Sequence, residues 1–235
     1  ISGIAREVLD EKGFKKIGRF GIRASTPNLL VQSGVAFMND MGISNKVGKD
    51  AYGDCTKMQV NCFKFPSGIG EKEKNETSKE VLDSIVFYLS SLSPPKRRNV
   101  NNNEVLEGKE IFYKAKCTSC HTPKYVTSKN AKFDFLKFQL IWPYTDLLLH
   151  DMGEDLADRD LDGNISNVEW KTPPLWGIGL QKEVNSRSSF LHDGRAETIL
   201  EAVLWHGGEA KKSVEFLIKN HSNNLDKLVK FIESL

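Results

Sequence analysis

Three features of the sequence predict an all-α fold. Segments 82–92 and 225–235 share an apolar pattern, and the apolar residues of the second copy follow the i, i+3, i+4, i+7 spacing of an amphipathic helix. Another apolar-periodic segment runs from Asn103, a candidate helix N-cap, to Ala115. Strand signals are scarce, and the prolines, asparagines and glycines between these segments indicate long irregular loops. We therefore expect helices joined by long connections.

Composition restricts the classes of function. Of the 235 residues, 39% are hydrophobic and 27% are charged, which is ordinary for a soluble globular chain. The formal net charge of +2 supplies no strong field to attract nucleic acid or an anionic membrane. Apolar runs such as 85–89 are far shorter than the roughly 20 residues that a membrane helix needs. The sequence thus predicts no nucleic-acid partner and no membrane span.

A helix stop and a polar linker divide the chain. Ser93, Pro94 and Pro95 follow the first copy of the helical pattern, and a basic, asparagine-rich stretch continues to residue 103. Because proline cannot continue a helix, this stretch predicts a boundary near residue 98. We expect two units, residues 1–98 and residues 99–235.

Cys117, Cys120 and His121 form a Cys-x-x-Cys-His motif, the attachment sequence of haem c. Each thiol can add to a haem vinyl group, and the adjacent imidazole then reaches the iron from one face. A thioredoxin-like pair would follow a strand in a βαβ pattern, and a zinc site would need a second ligand pair. The sequence has neither pattern, so it predicts one covalent haem c with His121 as the proximal iron ligand.

The other two cysteines, Cys55 and Cys62, suggest an oxidising compartment. Haem c is attached outside the bacterial cytoplasm, where thiols are otherwise oxidised. We therefore expect a Cys55–Cys62 disulfide and a periplasmic or cell-surface location. Two unpaired thiols in a polar loop are the alternative.

The order of elements around the haem motif is that of c-type cytochromes. One helix delivers the motif, an intervening region covers the haem, and a final helix packs back across the first. Residues 99–235 are thus expected to be a cytochrome c-like haem domain. Residues 1–98 end in a similar helix but contain no Cys-x-x-Cys-His motif. We expect them to be the C-terminal remainder of a first unit whose motif lies upstream of Ile1; a helical remnant that never bound haem is the alternative.

Six further segments carry a resemblance to a known family. They are Gly18-Arg19-Phe20-Gly21, Asp40-Met41-Gly42, residues 144–153, residues 172–177, residues 190–196 and His206-Gly207-Gly208-Glu209-Ala210. On these segments the chain resembles the bacterial di-haem oxidoreductases, also described as thiol oxidoreductases or peroxidases, which are similar to di-haem cytochrome c peroxidases. The resemblance implies two c-type haems on an all-α scaffold, an exported protein, a second haem domain upstream of residue 1 and a redox partner protein.

The sixth ligand of the iron has four candidates, which are His150, Met152, His192 and His206. Spacing alone does not choose among them. The resemblance to cytochrome c peroxidases implies His206, which stands where those proteins place the distal methionine of the electron-transfer haem, and Met152 is the alternative. His150 and His192 are expected to hydrogen-bond backbone or a haem propionate instead. Arg195 is expected to pair with a propionate, because a guanidinium matches a carboxylate; a surface arginine is the alternative.

Residues 158–169 fit the calcium-binding loop of an EF-hand. The predicted calcium ligands are Asp158, Asp160, Asp162, Asn164 and Glu169. Pro173 and Pro174 oppose a full EF-hand because they prevent the long exit helix. A solvated acidic turn is the alternative to a calcium site.

These motifs together predict the electron-transfer portion of a di-haem oxidoreductase. A haem held by His121 and His206 would relay electrons to or from a second haem. The full-length protein would be a peroxidase-like enzyme, and these residues alone would transfer electrons only; the sequence singles out no catalytic residue. The alternatives are a peroxidase in which this haem is the catalytic site, and a non-catalytic surface haem module.

Overall fold

The structure, a computed structural model, describes residues 1–48, 52, 55–71, 74–159, 161–162 and 164–235. These residues form two compact units. Residues 6–93 make up one unit, and residues 1–5 together with 94–235 make up the other. The assignment of residues 1–98 to the remainder of a first haem unit stays a prediction.

The all-α prediction is wrong, because the fold mixes helices with short antiparallel strands. Within the described residues, eight strands form four two-stranded sheets, β1 with β2, β3 with β4, β5 with β8 and β6 with β7. The strands are β1 Glu7–Leu9, β2 Lys15–Ile17, β3 Tyr125–Val126, β4 Leu140–Ile141, β5 Leu149–Asp151, β6 Asp158–Arg159, β7 Ile165–Asn167 and β8 Glu169–Lys171. Long connections satisfy their backbone N–H and C=O groups by pairing locally. Strands of two or three residues are too short to produce a readable alternating pattern.

The helices in the described residues are α1 Leu29–Met41, α2 Lys79–Ser91, α3 Asn103–Lys114, α4 Gln181–Val184, α5 Ile199–Leu204, α6 Lys211–His221 and α7 Leu225–Glu233. Of these, α2, α3 and α7 lie where the apolar periodicity predicts them, and the other four were not predicted from the sequence. The repeated segments correspond to α2 and α7. The N-cap of α3 is Asn102 rather than Asn103, because the Asn102 side chain accepts hydrogen bonds from the N–H groups of Glu104 and Val105.

In the unit of residues 6–93, α1 packs against α2, and β1 pairs with β2 as an antiparallel hairpin. Leu82 and Val86 of α2 are buried in its interior. Lys46 and Lys79 both pair with Asp83 of α2, at 2.6 Å and 2.8 Å. Cys55 and Cys62 are joined by a disulfide with their Cα atoms 6.2 Å apart. The Lys46–Asp83 pair ties the loop after α1 to α2 in addition to the apolar packing, and the disulfide closes a turn within that loop.

In the second unit, α3 and α7 cross in direct backbone contact. A side chain at Gly108 of α3 would overlap the carbonyl group of Lys227 in α7. Phe112 of α3 and Phe231 of α7 are buried on either side of this crossing, with their rings 5.3 Å apart. Lys230 also forms an ion pair with Glu104 at 2.7 Å. The haem motif begins at Cys117, directly after α3, so the crossing of α3 and α7 determines the position of the motif.

Among the described residues, no helix combines the length and the apolar character needed to cross a lipid bilayer.

Candidate haem site

The Cys-x-x-Cys-His motif is wound into a tight turn at the end of α3. Lys116 adopts a left-handed conformation, with φ of 60°, and reverses the chain after the helix. Cys117–Ser119 then forms a single 3-10 turn, and the N–H of His121 donates to the carbonyl oxygen of Cys117 at 3.0 Å. Cys117 packs against the buried core, and this burial raises the pKa of its thiol to about 12. Such a position suits an uncharged thioether better than a thiolate.

His121 is held in one tautomer by a backbone carbonyl. Its Nδ1 lies 2.9 Å from the carbonyl oxygen of Tyr144, and because a carbonyl only accepts, Nδ1 carries the proton. The lone pair is therefore on Nε2. Burial, together with the nearby imidazole of His206, lowers the pKa of His121 to about 4. His121 is thus a neutral imidazole at neutral pH, which is the state that ligates iron.

The carbonyl of Tyr144 is itself fixed by aromatic packing. Tyr144 is buried and has a positive φ of 52°. Its ring centroid lies 6.0 Å from that of Phe112 and 5.9 Å from that of Phe231. Because α3 and α7 contribute one ring each, the helix crossing determines the orientation of the carbonyl that orients His121.

His206 is oriented in the same way as His121. It follows α5, and its Nδ1 lies 2.7 Å from the carbonyl oxygen of Ala202, one helical turn earlier. Nδ1 therefore carries the proton and Nε2 the lone pair. Burial lowers the pKa of His206, so it too is neutral at neutral pH. The site thus contains two neighbouring imidazoles whose Nε2 atoms are both able to bind a metal.

Glycines bring the His206 turn against strand β5. A side chain at Gly208 would overlap the carbonyl oxygen of Asp151, and a Cβ at Gly207 would lie 2.7 Å from the carbonyl oxygen of Met152. Gly208 also has a positive φ of 46°. Only glycine permits this close approach of the two backbones. The segment Asp151-Met152 therefore sets the position of the turn that carries His206.

The residues present fit a haem iron. Metal-ligating histidines commonly donate their second ring N–H to a carbonyl or carboxylate, which fixes the tautomer, and both His121 and His206 do so. The two thiols of Cys117 and Cys120 lie in the same turn as His121. Cys117 and Cys120 would hold a covalently attached haem, and His121 and His206 are the imidazoles available to its iron.

His150 does not present a lone pair to a metal. Its Nε2 lies 2.9 Å from a carboxylate oxygen of Asp146, and its Nδ1 lies 3.3 Å from one of Glu209. Burial raises the pKa of the Asp146 and Glu209 carboxyl groups, but hydrogen bonds, including the one from His150, outweigh it. The pKa of each carboxyl group is therefore lowered, and both are ionised. Carboxylates only accept, and both ring nitrogens are therefore protonated.

The other candidate ligands occupy different surroundings. His192 stacks on Trp170 with ring centroids 3.6 Å apart, and its Nε2 lies 3.5 Å from a carboxylate oxygen of Asp158. Met152 donates its backbone N–H to Val168. The backbone of Met152 lies against Gly207, next to His206, so Met152 stays the alternative iron ligand.

Arg195 lies beside the predicted distal ligand. Its guanidinium is 5.0 Å from the centre of the Trp205 ring, which directly precedes His206. The Nε of Arg195 donates to Asp193 at 2.6 Å, and another nitrogen donates to the carbonyl oxygen of Asp155. These contacts fix the guanidinium near the site, and its pairing with a haem propionate stays a prediction.

The calcium-like loop forms a β-hairpin. Asp158 of β6 lies opposite Asn167 of β7, whereas Glu169 belongs to β8 and lies opposite Asp151 of β5. Asp160 lies outside the described residues. In the part of the chain that the structure describes, no group of three or more His, Cys, Asp or Glu side chains could hold a metal ion. Calcium binding by Asp158, Asp160, Asp162, Asn164 and Glu169 stays a prediction.

Sequence reasoning missed two residues that build the site. Tyr144 acts through its backbone carbonyl, which no side-chain pattern reveals. Gly108 is a glycine inside a helical pattern, and this rare placement could have indicated a close helix approach.

A covalent-haem motif with a second buried imidazole defines a candidate haem-binding redox protein, and the comparison with protein families agrees. A family model described as "Di-haem oxidoreductase, putative peroxidase" matches residues 10–235. The chain belongs to this di-haem oxidoreductase family, which supports a haem cofactor and a redox function.

Among solved structures, the chain is similar to hydrazine synthase from Kuenenia stuttgartiensis, in a structure pressurised with 20 bar xenon. The two are 16% identical, with a TM-score of 0.45, and the match covers 68% of this chain and 57% of that chain. No curated protein matches the chain.

Proposed function

We propose that this part of the protein transfers electrons through a haem c attached to Cys117 and Cys120, with His121 and His206 as the two iron ligands. The observation that carries the proposal is the matched orientation of the two imidazoles, each with Nδ1 bonded to a backbone carbonyl. The covalent motif and the membership in a di-haem oxidoreductase family support it.

A bound haem c would supply one-electron redox chemistry. The residues around it have three tasks. The carbonyls of Tyr144 and Ala202 hold His121 and His206 in the ligating tautomer. Burial keeps both imidazoles neutral over the physiological pH range. Ligation by both imidazoles would leave no open position for peroxide, and it would favour a lower reduction potential than a histidine–methionine pair would give.

The second haem of the family would lie on a domain upstream of residue 1, and the electron partner would be a separate redox protein. Covalent haem attachment and the Cys55–Cys62 disulfide support an exported location, in the periplasm or at the cell surface. The chain described here would then be the electron-relay half of a di-haem enzyme.

The absorption and electron paramagnetic resonance spectra of the haem-loaded full chain test this proposal. A filled site gives a low-spin haem that cyanide and carbon monoxide do not change. His206→Ala should convert it to a high-spin haem that binds both ligands, whereas His221→Ala, a histidine at the end of α6, should leave the spectrum unchanged. A high-spin wild-type protein would contradict the assignment of His206.

A peroxidase reaction at this same haem is the second candidate, since the family description names a peroxidase. It requires an open iron position. The same spectra separate the two functions, because a peroxidase haem here would react with hydrogen peroxide in the wild-type protein, and an electron-relay haem would react only after His206→Ala.

A further inference from the structure

His150 lies between two carboxylates that belong to different segments of the second unit. Asp146 contacts its Nε2 at 2.9 Å and Glu209 its Nδ1 at 3.3 Å. The His150 side chain is 3% exposed, and the side chains of Asp146 and Glu209 are 11% and 21% exposed. We refer to these three side chains as the His150 clamp.

Both contacts require a charged imidazolium. Each ring nitrogen of His150 must donate, because ionised carboxylates have no proton to give. Charge-assisted hydrogen bonds of this kind are stronger than neutral ones, and they are most effective where water is excluded.

One end of the clamp is connected to the haem motif. Asp146 follows Thr145, whose N–H donates to the carbonyl oxygen of Thr122 at 3.0 Å. Thr122 directly follows His121, and Tyr144, which orients His121, directly precedes Thr145. The position of Asp146 is therefore coupled to the segment that holds the proximal ligand.

The other end is connected to the predicted distal ligand. Glu209 is three residues after His206, at the start of the turn that leads into α6. The clamp thus links the turns that carry the two imidazoles through a single side chain.

The N-terminal segment closes the clamp from one side. The N–H of Ser2 donates to Glu209 at 2.7 Å. A Cβ at Gly3 would lie 2.6 Å from the His150 ring, so the backbone rests directly on the imidazole. Ile4 pairs with Leu149 of β5 through two backbone hydrogen bonds, of 2.8 Å and 3.0 Å. This cover excludes water from the charged group.

We propose that His150 is a positioning residue. By bonding Asp146 and Glu209 at once, it holds the His121 and His206 turns at the separation that lets both imidazoles bind one iron. The inference rests on the proposed function, in which these two histidines are the iron ligands.

The test compares Glu209→Ala with Glu209→Gln in the haem-loaded full chain. The glutamine carbonyl still accepts from Nδ1 of His150, so Glu209→Gln should retain the low-spin haem and its resistance to cyanide. Glu209→Ala removes the acceptor, and we expect cyanide affinity to rise about tenfold or more as His206 dissociates more easily, in line with the usual effect of the partners of metal ligands. The reduction potential should shift in the alanine variant as well.

His150→Leu gives a second measurement, because it removes both bonds and the positive charge that lies between the two carboxylates. We expect a larger high-spin fraction than in Glu209→Ala, and His221→Leu is the control variant.

If both Glu209 variants and His150→Leu keep the wild-type spectrum, potential and cyanide affinity, the positioning role is wrong while the ligand assignment stands. A wild-type protein that is already high-spin overturns both the ligand assignment and the positioning role. Should His150→Leu fail to fold, the comparison of the two Glu209 variants still decides.

Discussion

Gly108 of α3 lies directly against the carbonyl group of Lys227 in α7, with no space for a side chain between them. This contact brings the two helices close enough for Phe112 and Phe231 to pack on Tyr144, whose carbonyl oxygen holds Nδ1 of His121. A glycine remote from the proposed iron ligands therefore controls the orientation of His121, one of them.

Gly108→Ala should destabilise the protein. The added methyl group overlaps the Lys227 carbonyl, so α3 and α7 must move apart, and overpacking of this kind costs about 1–3 kcal/mol. Urea unfolding followed by circular dichroism measures the change. The control is Glu110→Ala on the exposed face of α3, which we expect to stay within about 0.5 kcal/mol of wild type. Equal stabilities of the two variants would contradict the close crossing.

One covalent haem is expected in this chain. Mass spectrometry of protein made in cells competent for haem c attachment should show an increase of about 616 Da, because there is one Cys-x-x-Cys-His motif. Cys117→Ala with Cys120→Ala should abolish the increase, and Cys55→Ala with Cys62→Ala should keep it. An increase of twice this size, or colourless wild-type protein, would contradict the predicted haem content.

His206 and Met152 can be separated as distal ligands. We expect Met152→Leu to leave the low-spin spectrum unchanged, since the orientation of His206 already supplies a neutral imidazole with its lone pair on Nε2. Met152→Leu replaces one apolar side chain of similar volume by another, so the fold should be retained. Loss of the low-spin spectrum in Met152→Leu, together with its retention in His206→Ala, would identify the methionine as the ligand.

The unit of residues 6–93 should lose stability in acid through Asp83. Hydrogen bonds from Lys46 and then Lys79 lower the pKa of Asp83 from 3.8 to about 2. A carboxyl whose pKa is lower in the folded state contributes stability above its ordinary pKa, and this contribution is lost as the pH falls through the folded value. Between about pH 4 and pH 2, the free energy of unfolding should therefore fall more steeply in wild type than in Asp83→Asn.

The control for this pH series is Asp40→Asn at an exposed position near the end of α1. It should retain the wild-type slope. If Asp83→Asn and Asp40→Asn show the same pH dependence as wild type, the two lysines do not stabilise the ionised carboxyl.

The sequence alone indicated the haem motif, the positions of α2, α3 and α7, and a set of candidate distal ligands. Covalent attachment requires residues that are consecutive in the chain, so Cys117, Cys120 and His121 are visible as a pattern. Amphipathic helices are visible for a similar reason, since their apolar spacing repeats within the segment itself.

The tertiary structure decided the remaining features, because they depend on groups far apart in the sequence. The short strands form where two loop segments hydrogen-bond to each other through their backbones, as β5 does with β8. The all-α prediction missed these strands. Spacing alone did not separate His150 from His206, and the structure separates them by the two carboxylate partners of His150, at positions 146 and 209. Which ring nitrogen carries a proton is set by these distant acceptors, and no local pattern of residues encodes that choice.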